Sequence, residues 1–121
     1  MSKKILVCDD EANILQVLGR VVREEGYDLI IAEDGEQGLQ LARSEMPDLM
    51  FLDVMMPKMT GFEVCQELKA DPATAGIYII LLTAMGQKRD MQEGSQCGAN
   101  DYCTKPFSPR KLRVRLHDLL D

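Results

Sequence analysis

Short apolar runs alternate along the chain with longer segments in which apolar residues recur at helical spacing. Runs that are apolar at nearly every position are typical of strands buried on both faces of a sheet, because strict alternation appears only where one face meets water. The pattern predicts five short strands, the last only partly apolar, at Ile5–Cys8, Leu29–Ala32, Leu49–Leu52, Ile77–Leu82 and Asp101–Cys103.

The segments between these strands carry apolar stripes and are bounded by glycine, proline and capping residues. They predict five helices: one that ends at Gly26, one between Gly35 and Met46, one between Gly61 and Asp71, one over Gln87–Gln96 and one that begins at Ser108-Pro109. Successive strand–helix units of this length predict a parallel sheet covered by helices on both faces. The predicted fold class is therefore α/β, a doubly wound (βα)5 three-layer sandwich.

Length and charge narrow the function. The chain has 121 residues, of which 45% are hydrophobic, and this predicts one globular domain over residues 1–121. A net charge of −6 repels nucleic acid and anionic membranes, so we expect this domain to bind neither. The longest apolar run, Ile77–Leu82, is far shorter than the ~20 residues of a membrane span. The first apolar run stops at Asp9 without a cleavage site, so we expect a cytoplasmic protein without a signal peptide.

The cysteines show neither a C-x-x-C pair nor the spacing of a metal site. They are Cys8, Cys65, Cys97 and Cys103. Two disulfides are an alternative, but a chain of this length builds a core without them. We therefore expect reduced thiols.

Polar residues follow each predicted strand, where open parallel α/β sheets bind their ligands. They are Asp9-Asp10-Glu11, Glu33-Asp34, Asp53, Thr83 and Lys105-Pro106. Taken singly, acids at such junctions are often helix caps, and a threonine can be a capping hydroxyl. Helix capping does not explain why Asp9, Asp10 and Asp53 occur together with a hydroxyl and a lone lysine at one end of the sheet.

Asp9, Asp10 and Asp53 would raise one another's pKa unless a cation neutralised them. Carboxylate and phosphate oxygens are the ligands that Mg²⁺ prefers, and Lys105 adds a mobile positive charge. A metal, a carboxylate nucleophile, a hydroxyl and a lysine are the groups needed to transfer a phosphoryl group onto an aspartate.

Four segments together carry a resemblance to a known family. They are Ile5–Glu11, Asp53–Gly61, Leu82–Ala84 and Asp101–Phe107. In this order and spacing they resemble the receiver domain of bacterial two-component response regulators, over essentially the whole chain. The resemblance implies the flavodoxin-like strand order 2-1-3-4-5. It also implies a phosphorylation-dependent switch, whose only chemistry is Mg²⁺-dependent self-phosphorylation and self-dephosphorylation, rather than an enzyme.

The resemblance also implies a role for each site residue. Asp53 would be the phosphoacceptor that attacks the phosphohistidine of a sensor histidine kinase. Asp9, Asp10 and Asp53, joined by the backbone carbonyl of Met55, would hold Mg²⁺. Lys105 would pair with the phosphoryl group.

Two further residues would pass the signal outward. Thr83 would move to hydrogen-bond a phosphoryl oxygen, and Tyr102 would rotate in response, although plain core packing is the alternative for Tyr102. The predicted fourth helix, the fifth strand and the last helix would then shift to an active arrangement. The implied partners are the kinase and either a downstream protein target or a covalently linked effector domain, and a homodimer on activation stays open.

Met55 and Met85 lie two residues after Asp53 and Thr83. In the family that the chain resembles, these positions flank the route of the water that hydrolyses the phospho-aspartate. A methionine can block that water but cannot orient it, so we expect slow self-dephosphorylation. The alternative is that both methionines only fill surface grooves.

Three other functions are alternatives to the switch. An aspartyl-phosphate hydrolase of the haloacid-dehalogenase kind needs a second acid two residues after its nucleophile, and Met55 stands there. A flavodoxin-like electron carrier needs a phosphate-binding loop after the first strand, where Asp9 and Asp10 would repel the phosphate. An interaction scaffold that is never phosphorylated needs none of these site residues, so their presence counts against it.

Overall fold

The chain alternates strands and helices, as the apolar pattern predicts. The computed structural model describes residues 3–84, 97–105 and 107–121. Its strands are β1 (Lys4–Cys8), β2 (Asp28–Ala32), β3 (Leu49–Asp53), β4 (Tyr78–Ala84) and β5 (Asp101–Lys105). Its helices are α1 (Ala12–Glu24), α2 (Gly35–Glu45), α3 (Gly61–Ala70) and α4 (Pro109–Leu120).

The five strands form one parallel sheet in the order β2-β1-β3-β4-β5. This order confirms the predicted doubly wound, flavodoxin-like fold. All strands therefore end on the same side, which we call the carboxyl end of the sheet, and all begin at the opposite amino end. Every loop that follows a strand emerges at the carboxyl end.

The core consists of two apolar layers, one on each face of the sheet. Successive strand side chains point to opposite faces, so Leu6 and Cys8 pack with α2 and α3 whereas Ile5 and Val7 pack with α1 and α4. The central strands β1 and β3 are buried on both faces. This double burial is the physical reason that their sequences show no polar alternation.

Capping residues fix where the helices begin. Thr60 and Glu63 form a reciprocal capping box at α3, and Ser108 accepts a hydrogen bond from the amide of Lys111 ahead of an N-terminal proline at α4. The predicted ends at Gly26 and Met46 also agree with the structure, and both of these residues have positive φ. The strand β5 extends two residues beyond its predicted end, to Lys105, because it continues to pair with β4.

Some predicted features lie outside the described residues. They are the helix over Gln87–Gln96 and the position of Met85. Among the helices that the structure describes, none is long and apolar enough to cross a membrane.

Candidate functional site

The strands place the predicted site residues at the carboxyl end of the sheet. Asp9 directly follows β1, and its amide donates a hydrogen bond to the carbonyl of Ala32, 3.1 Å away. Asp53 is the last residue of β3, and Lys105 is the last residue of β5. Because the sheet is parallel, residues far apart in sequence meet here, as the sequence predicts.

Three carboxylates form one cluster. Asp9, Asp10 and Asp53 each offer an oxygen, and these oxygens lie within 4.8 Å of one another. Asp9 is fully buried and Asp53 is 5% exposed, whereas Asp10 faces solvent. Two of the three charges therefore lie where water screens them poorly.

Lys105 balances part of this negative charge. Its Nζ lies 3.0 Å from Oδ2 of Asp9, 3.3 Å from Oδ1 of Asp53 and 3.2 Å from Oε1 of Glu11. Burial by itself would lower the pKa of Lys105, but the hydrogen bond to Asp9 and the charges of Asp53 and Asp9 outweigh it and raise that pKa. Lys105 is therefore held as a cation against the acids.

The lysine does not neutralise Asp53 fully. Burial and the charge of Asp9 raise the pKa of Asp53 to about 7, although the Lys105 ammonium and a hydrogen bond from the backbone of Met55 act to lower it. Burial and a like charge both disfavour the ionised form of a carboxyl group. The cluster thus carries more negative charge than its own cation compensates.

The donor set fits a divalent cation with a preference for oxygen. All three side chains of the cluster are carboxylates, and the buried Oδ2 of Asp9 has the Lys105 ammonium 3.0 Å away as its partner. One ammonium group does not neutralise three carboxylates, and the pKa of Asp53 stays raised, so a further cation would be favourable here. The residues present therefore fit Mg²⁺, which takes carboxylate oxygens and keeps several waters.

The turn from β3 to α3 packs closely against the site. The amide of Gly61 donates a 2.9 Å hydrogen bond to the carbonyl of Val54. A Cβ at Gly61 would lie only 2.2 Å from the backbone oxygen of Asp53, so only glycine fits there. In the same turn, Lys58 has a φ of 71° and pairs with Asp34 across 3.6 Å. The turn thus holds the backbone of Asp53 against the start of α3.

Thr83 and Tyr102 lie on the strands beside Asp53. Thr83 is buried on β4, one residue beyond Leu82, which is the register partner of Asp53. Tyr102 is half-buried on β5 and packs against the core layer of α2 and α3. Both positions suit the predicted signalling roles, and those roles stay predictions.

Two outcomes differ from the simplest sequence interpretation. Asp34, which follows β2, caps α2 through a 2.8 Å hydrogen bond from the amide of Gln37, so here the capping alternative holds. The sequence assigns Glu11 no role of its own, yet Glu11 is a third carboxylate partner of Lys105. Its adjacency to Asp9-Asp10 was the available signal, but the contact depends on where Lys105 arrives from β5.

Comparisons with known proteins agree with this geometry. The model of the response regulator receiver domain family matches residues 5–117. The alkaline phosphatase synthesis transcriptional regulatory protein PhoP of Bacillus subtilis is 46% identical over 120 residues, which are 99% of this chain and 49% of PhoP. The chain spans about half the length of the curated relatives it matches.

Solved structures show the same fold. The chemotaxis response regulator CheY4 of Vibrio cholerae superposes with a TM-score of 0.91 at 32% identity, covering 99% of this chain and 100% of CheY4. The receiver domain of the sensor histidine kinase PA1611 from Pseudomonas aeruginosa gives a TM-score of 0.89 at 28% identity, covering 98% of each chain. The PA1611 structure has a magnesium ion coordinated in its active-site cleft.

Proposed function

The chain belongs to the response regulator receiver domain family, and on that premise we propose that Asp53 accepts a phosphoryl group from a sensor histidine kinase. Receiver domains of this family act in phosphorylation-dependent two-component signalling. The observation that carries the proposal is the buried pair of Asp9 and Asp53 with Lys105 between them. The further site assignments below belong to the same proposal.

Asp53 is suited to be the nucleophile. Its carboxylate lies at the end of a buried strand, and the close turn through Gly61 keeps its backbone in place. A carboxylate oxygen attacks phosphorus, the bond from phosphorus to the kinase histidine breaks, and that imidazole leaves with the bonding electron pair. Lys105 compensates the charge on the transferred oxygens, and no strong general base is required.

Asp9, Asp10 and Asp53 would hold Mg²⁺, with the backbone carbonyl of Met55 as the predicted fourth protein ligand. Bound Mg²⁺ supplies neutralisation of the oxygens of the phosphoryl group. The close approach of the three carboxylates, which the Lys105 ammonium does not fully neutralise, supports this assignment. Lys105 and the metal would then share the negative charge that Lys105 alone does not neutralise.

The bound phosphoryl group would change the conformation through Thr83 and Tyr102. A phosphoryl group adds about −1.5 to −2 charges and three acceptor oxygens, which would draw the Thr83 hydroxyl toward Asp53. Movement of Thr83 would open space for the ring of Tyr102. The predicted helix over Gln87–Gln96, together with β5 and α4, would form the face that changes.

The proposed partners are a sensor histidine kinase and an effector that controls transcription. The curated relatives are transcriptional regulators about twice as long as this chain, and RpaA of Synechocystis is described as a DNA-binding regulator. We therefore expect residues 1–121 to act as one receiver domain in the cytoplasm, coupled to an effector domain or to a separate protein target. A homodimer on activation stays open.

The deciding experiment measures intact mass after incubation with Mg²⁺ and acetyl phosphate. We expect one phosphoryl adduct that requires Mg²⁺, is absent in Asp53→Asn and Asp9→Asn, and persists in the control Asp28→Asn, which changes an exposed acid at the amino end. No adduct in a folded protein would instead support an unphosphorylated interaction scaffold. Fast, continuous release of phosphate without an adduct that accumulates would support an aspartyl-phosphate hydrolase, because slow self-dephosphorylation lets the adduct of a receiver domain accumulate.

A further inference from the structure

Two cysteines from different parts of the chain meet in the core layer of α2 and α3. Cys65 lies on α3 and is fully buried, and Cys97 lies four residues before β5 and is 8% exposed. The thiol of Cys65 lies 3.6 Å from the carbonyl oxygen of Cys97. The two thiols are also close enough to shift each other's pKa.

Other contacts keep Cys97 against α3. The turn that contains Gly98 lies on Lys69, since a Cβ at Gly98 would be 3.4 Å from Cβ of Lys69. Lys69 stands one helical turn after Cys65, and its ammonium donates to the carbonyls of Ala75 and Ile77 at 3.0 and 2.6 Å. The thiol pair therefore lies in an apolar core layer with the Lys69 ammonium nearby.

The setting makes the two thiols unequal. The hydrogen bond from Cys65 lowers the pKa of Cys97 to about 7, with smaller help from the Ala99 amide and the Lys69 charge. The same hydrogen bond, with burial, raises the pKa of Cys65. For comparison, burial raises the pKa of Cys8 to about 12 and also raises that of Cys103. Only a thiolate is a good nucleophile, so Cys97 differs in kind from Cys8 and Cys103.

We propose that Cys65 and Cys97 are a redox-active pair, which a hydroperoxide converts into an intramolecular disulfide between α3 and the approach to β5. The Cys97 thiolate attacks one peroxide oxygen, the O–O bond breaks and hydroxide leaves, which gives a sulfenic acid. The sulfur of Cys65 then attacks Cys97, forms the S–S bond and releases water. Overall the two thiols lose two protons and two electrons, and hydrogen peroxide is reduced to two molecules of water.

The disulfide would form beside Tyr102. This ring packs against the same core layer, and after burial it is the charges of Cys97 and Cys65 that raise its pKa. A covalent link there would restrict the strand that we propose to carry the switch. This consequence rests on the proposed function, whereas the thiol chemistry does not.

The first test uses the reduced wild-type protein and hydrogen peroxide. We expect the intact mass to fall by two hydrogen atoms, and proteolysis without reductant to release one linked peptide pair that contains Cys65 and Cys97. Dithiothreitol should reverse the change, Cys97→Ser should abolish it, and the matched control Cys103→Ser should leave it intact. A linkage to Cys8 or Cys103, or no linkage in the wild type, would overturn the proposal.

A second measurement needs no variant. Limited iodoacetamide at pH 7, followed by peptide mapping, should modify Cys97 at least about fivefold faster than Cys103, because its larger thiolate fraction outweighs its lower intrinsic nucleophilicity. Equal rates would contradict the assigned nucleophile.

The link to signalling has its own readout. We expect the oxidised protein to react with acetyl phosphate at least about twofold more slowly than the reduced protein, because a link that restricts β5 disfavours the arrangement that the phosphorylated protein adopts. Equal rates with the disulfide present would overturn only the proposed coupling through Tyr102 and would leave the redox chemistry standing. If neither form is phosphorylated, the proposed function fails, and the peptide map still decides the redox chemistry.

Discussion

At the carboxyl end of the sheet Asp9 and Asp53 are buried around Lys105, whereas at the amino end Glu25 and Asp121 flank His117 near the surface. Both places bring at least one carboxylate from a distant part of the chain to a basic side chain. At the amino end, Nε2 of His117 lies 2.6 Å from Oε1 of Glu25, and Nδ1 contacts Asp121. The basic group at each end has a raised pKa.

Burial makes the two clusters different. The side chains of His117 and Asp121 are 44% and 58% exposed, so water and salt screen their attraction. Asp53 and Asp9 are almost fully buried, and burial together with the charge of Asp9 raises the pKa of Asp53 to about 7. The amino end therefore forms an ordinary surface ion cluster, and the carboxyl end stores an electrostatic imbalance that a cation or a chemical change can relieve.

The largest effect should come from the turn that packs against Asp53. Gly61→Ala places a methyl group 2.2 Å from the backbone oxygen of Asp53, which forces the turn to move. We expect a loss of about 3 kcal/mol in the free energy of unfolding, measured by urea denaturation. Gly76→Ala is the matched control, since a Cβ there meets nothing within 4 Å, and it should change stability far less. Equal losses would show that the close approach is unimportant.

The raised pKa of Asp53 should make the free energy of unfolding depend on pH. Because the folded pKa of Asp53 is raised from 3.8 to about 7, its contribution to stability is complete at low pH and is lost as the pH rises through 7. Without divalent metal, Asp53→Asn should therefore be more stable than the wild type at pH 8, by on the order of 2 kcal/mol, and less so at pH 5. Urea titrations of both proteins at pH 5 and pH 8, with a chelator present, measure this difference in stability.

Mg²⁺ provides the control for that experiment. Added at pH 8, it should stabilise the wild type by mass action and narrow the gap to Asp53→Asn. A gap that is the same at both pH values and insensitive to Mg²⁺ would rule out repulsion at Asp53 as its cause.

A smaller effect is expected at the mouth of the site. Met55 is 71% exposed, so it does not fill the core, and a polar side chain there could orient the hydrolytic water. We expect Met55→Asn to shorten the lifetime of the phosphorylated protein by roughly threefold to tenfold, about 1 kcal/mol in the barrier. Loss of the phosphoryl adduct with time measures this. Met46→Asn changes an exposed methionine at the amino end and should leave the lifetime unchanged.

The smallest effect belongs to the amino end. Hydrogen bonds to Glu25 and Asp121 raise the pKa of His117, so its contribution to stability is present below about pH 6.5 and is lost as the pH rises through the raised value. The Tm of His117→Gln should therefore fall below that of the wild type at pH 5.5 and approach it at pH 9. Salt should reduce the difference. A Tm difference that does not vary with pH would mean that the charge on His117 is irrelevant.

Much of the carboxyl end could be predicted from sequence. Asp9, Asp53 and Lys105 directly follow or end apolar strands, and in a parallel sheet such positions converge whatever the details of the loops. The role of Glu11 could not be predicted, because its contact with Lys105 joins residues 94 positions apart through two flexible side chains. At His117 the i,i+4 spacing to Asp121 is a local signal, but the contact with Glu25 joins residues 92 positions apart and could not be predicted.

The thiol pair shows the limit of sequence interpretation more sharply. Four cysteines without a motif predict reduced thiols, and this prediction cannot distinguish Cys97 from Cys8. The difference arises because Cys65 and Cys97, 32 positions apart, meet beside Lys69 while Cys8 packs against Met56. Tertiary neighbours, rather than the residue type, set the reactivity.

The apolar pattern by itself determined the parallel sheet, the direction of its strands and the end at which the acids gather, because chain direction and strand burial are local consequences of sequence. Only the tertiary structure decided how deeply Asp9 and Asp53 are buried, which carboxylates Lys105 reaches and which thiols are paired. These properties depend on distances of a few ångströms between residues far apart in the chain. At that range, burial and pairing govern the pKa of each group, and no local pattern encodes them.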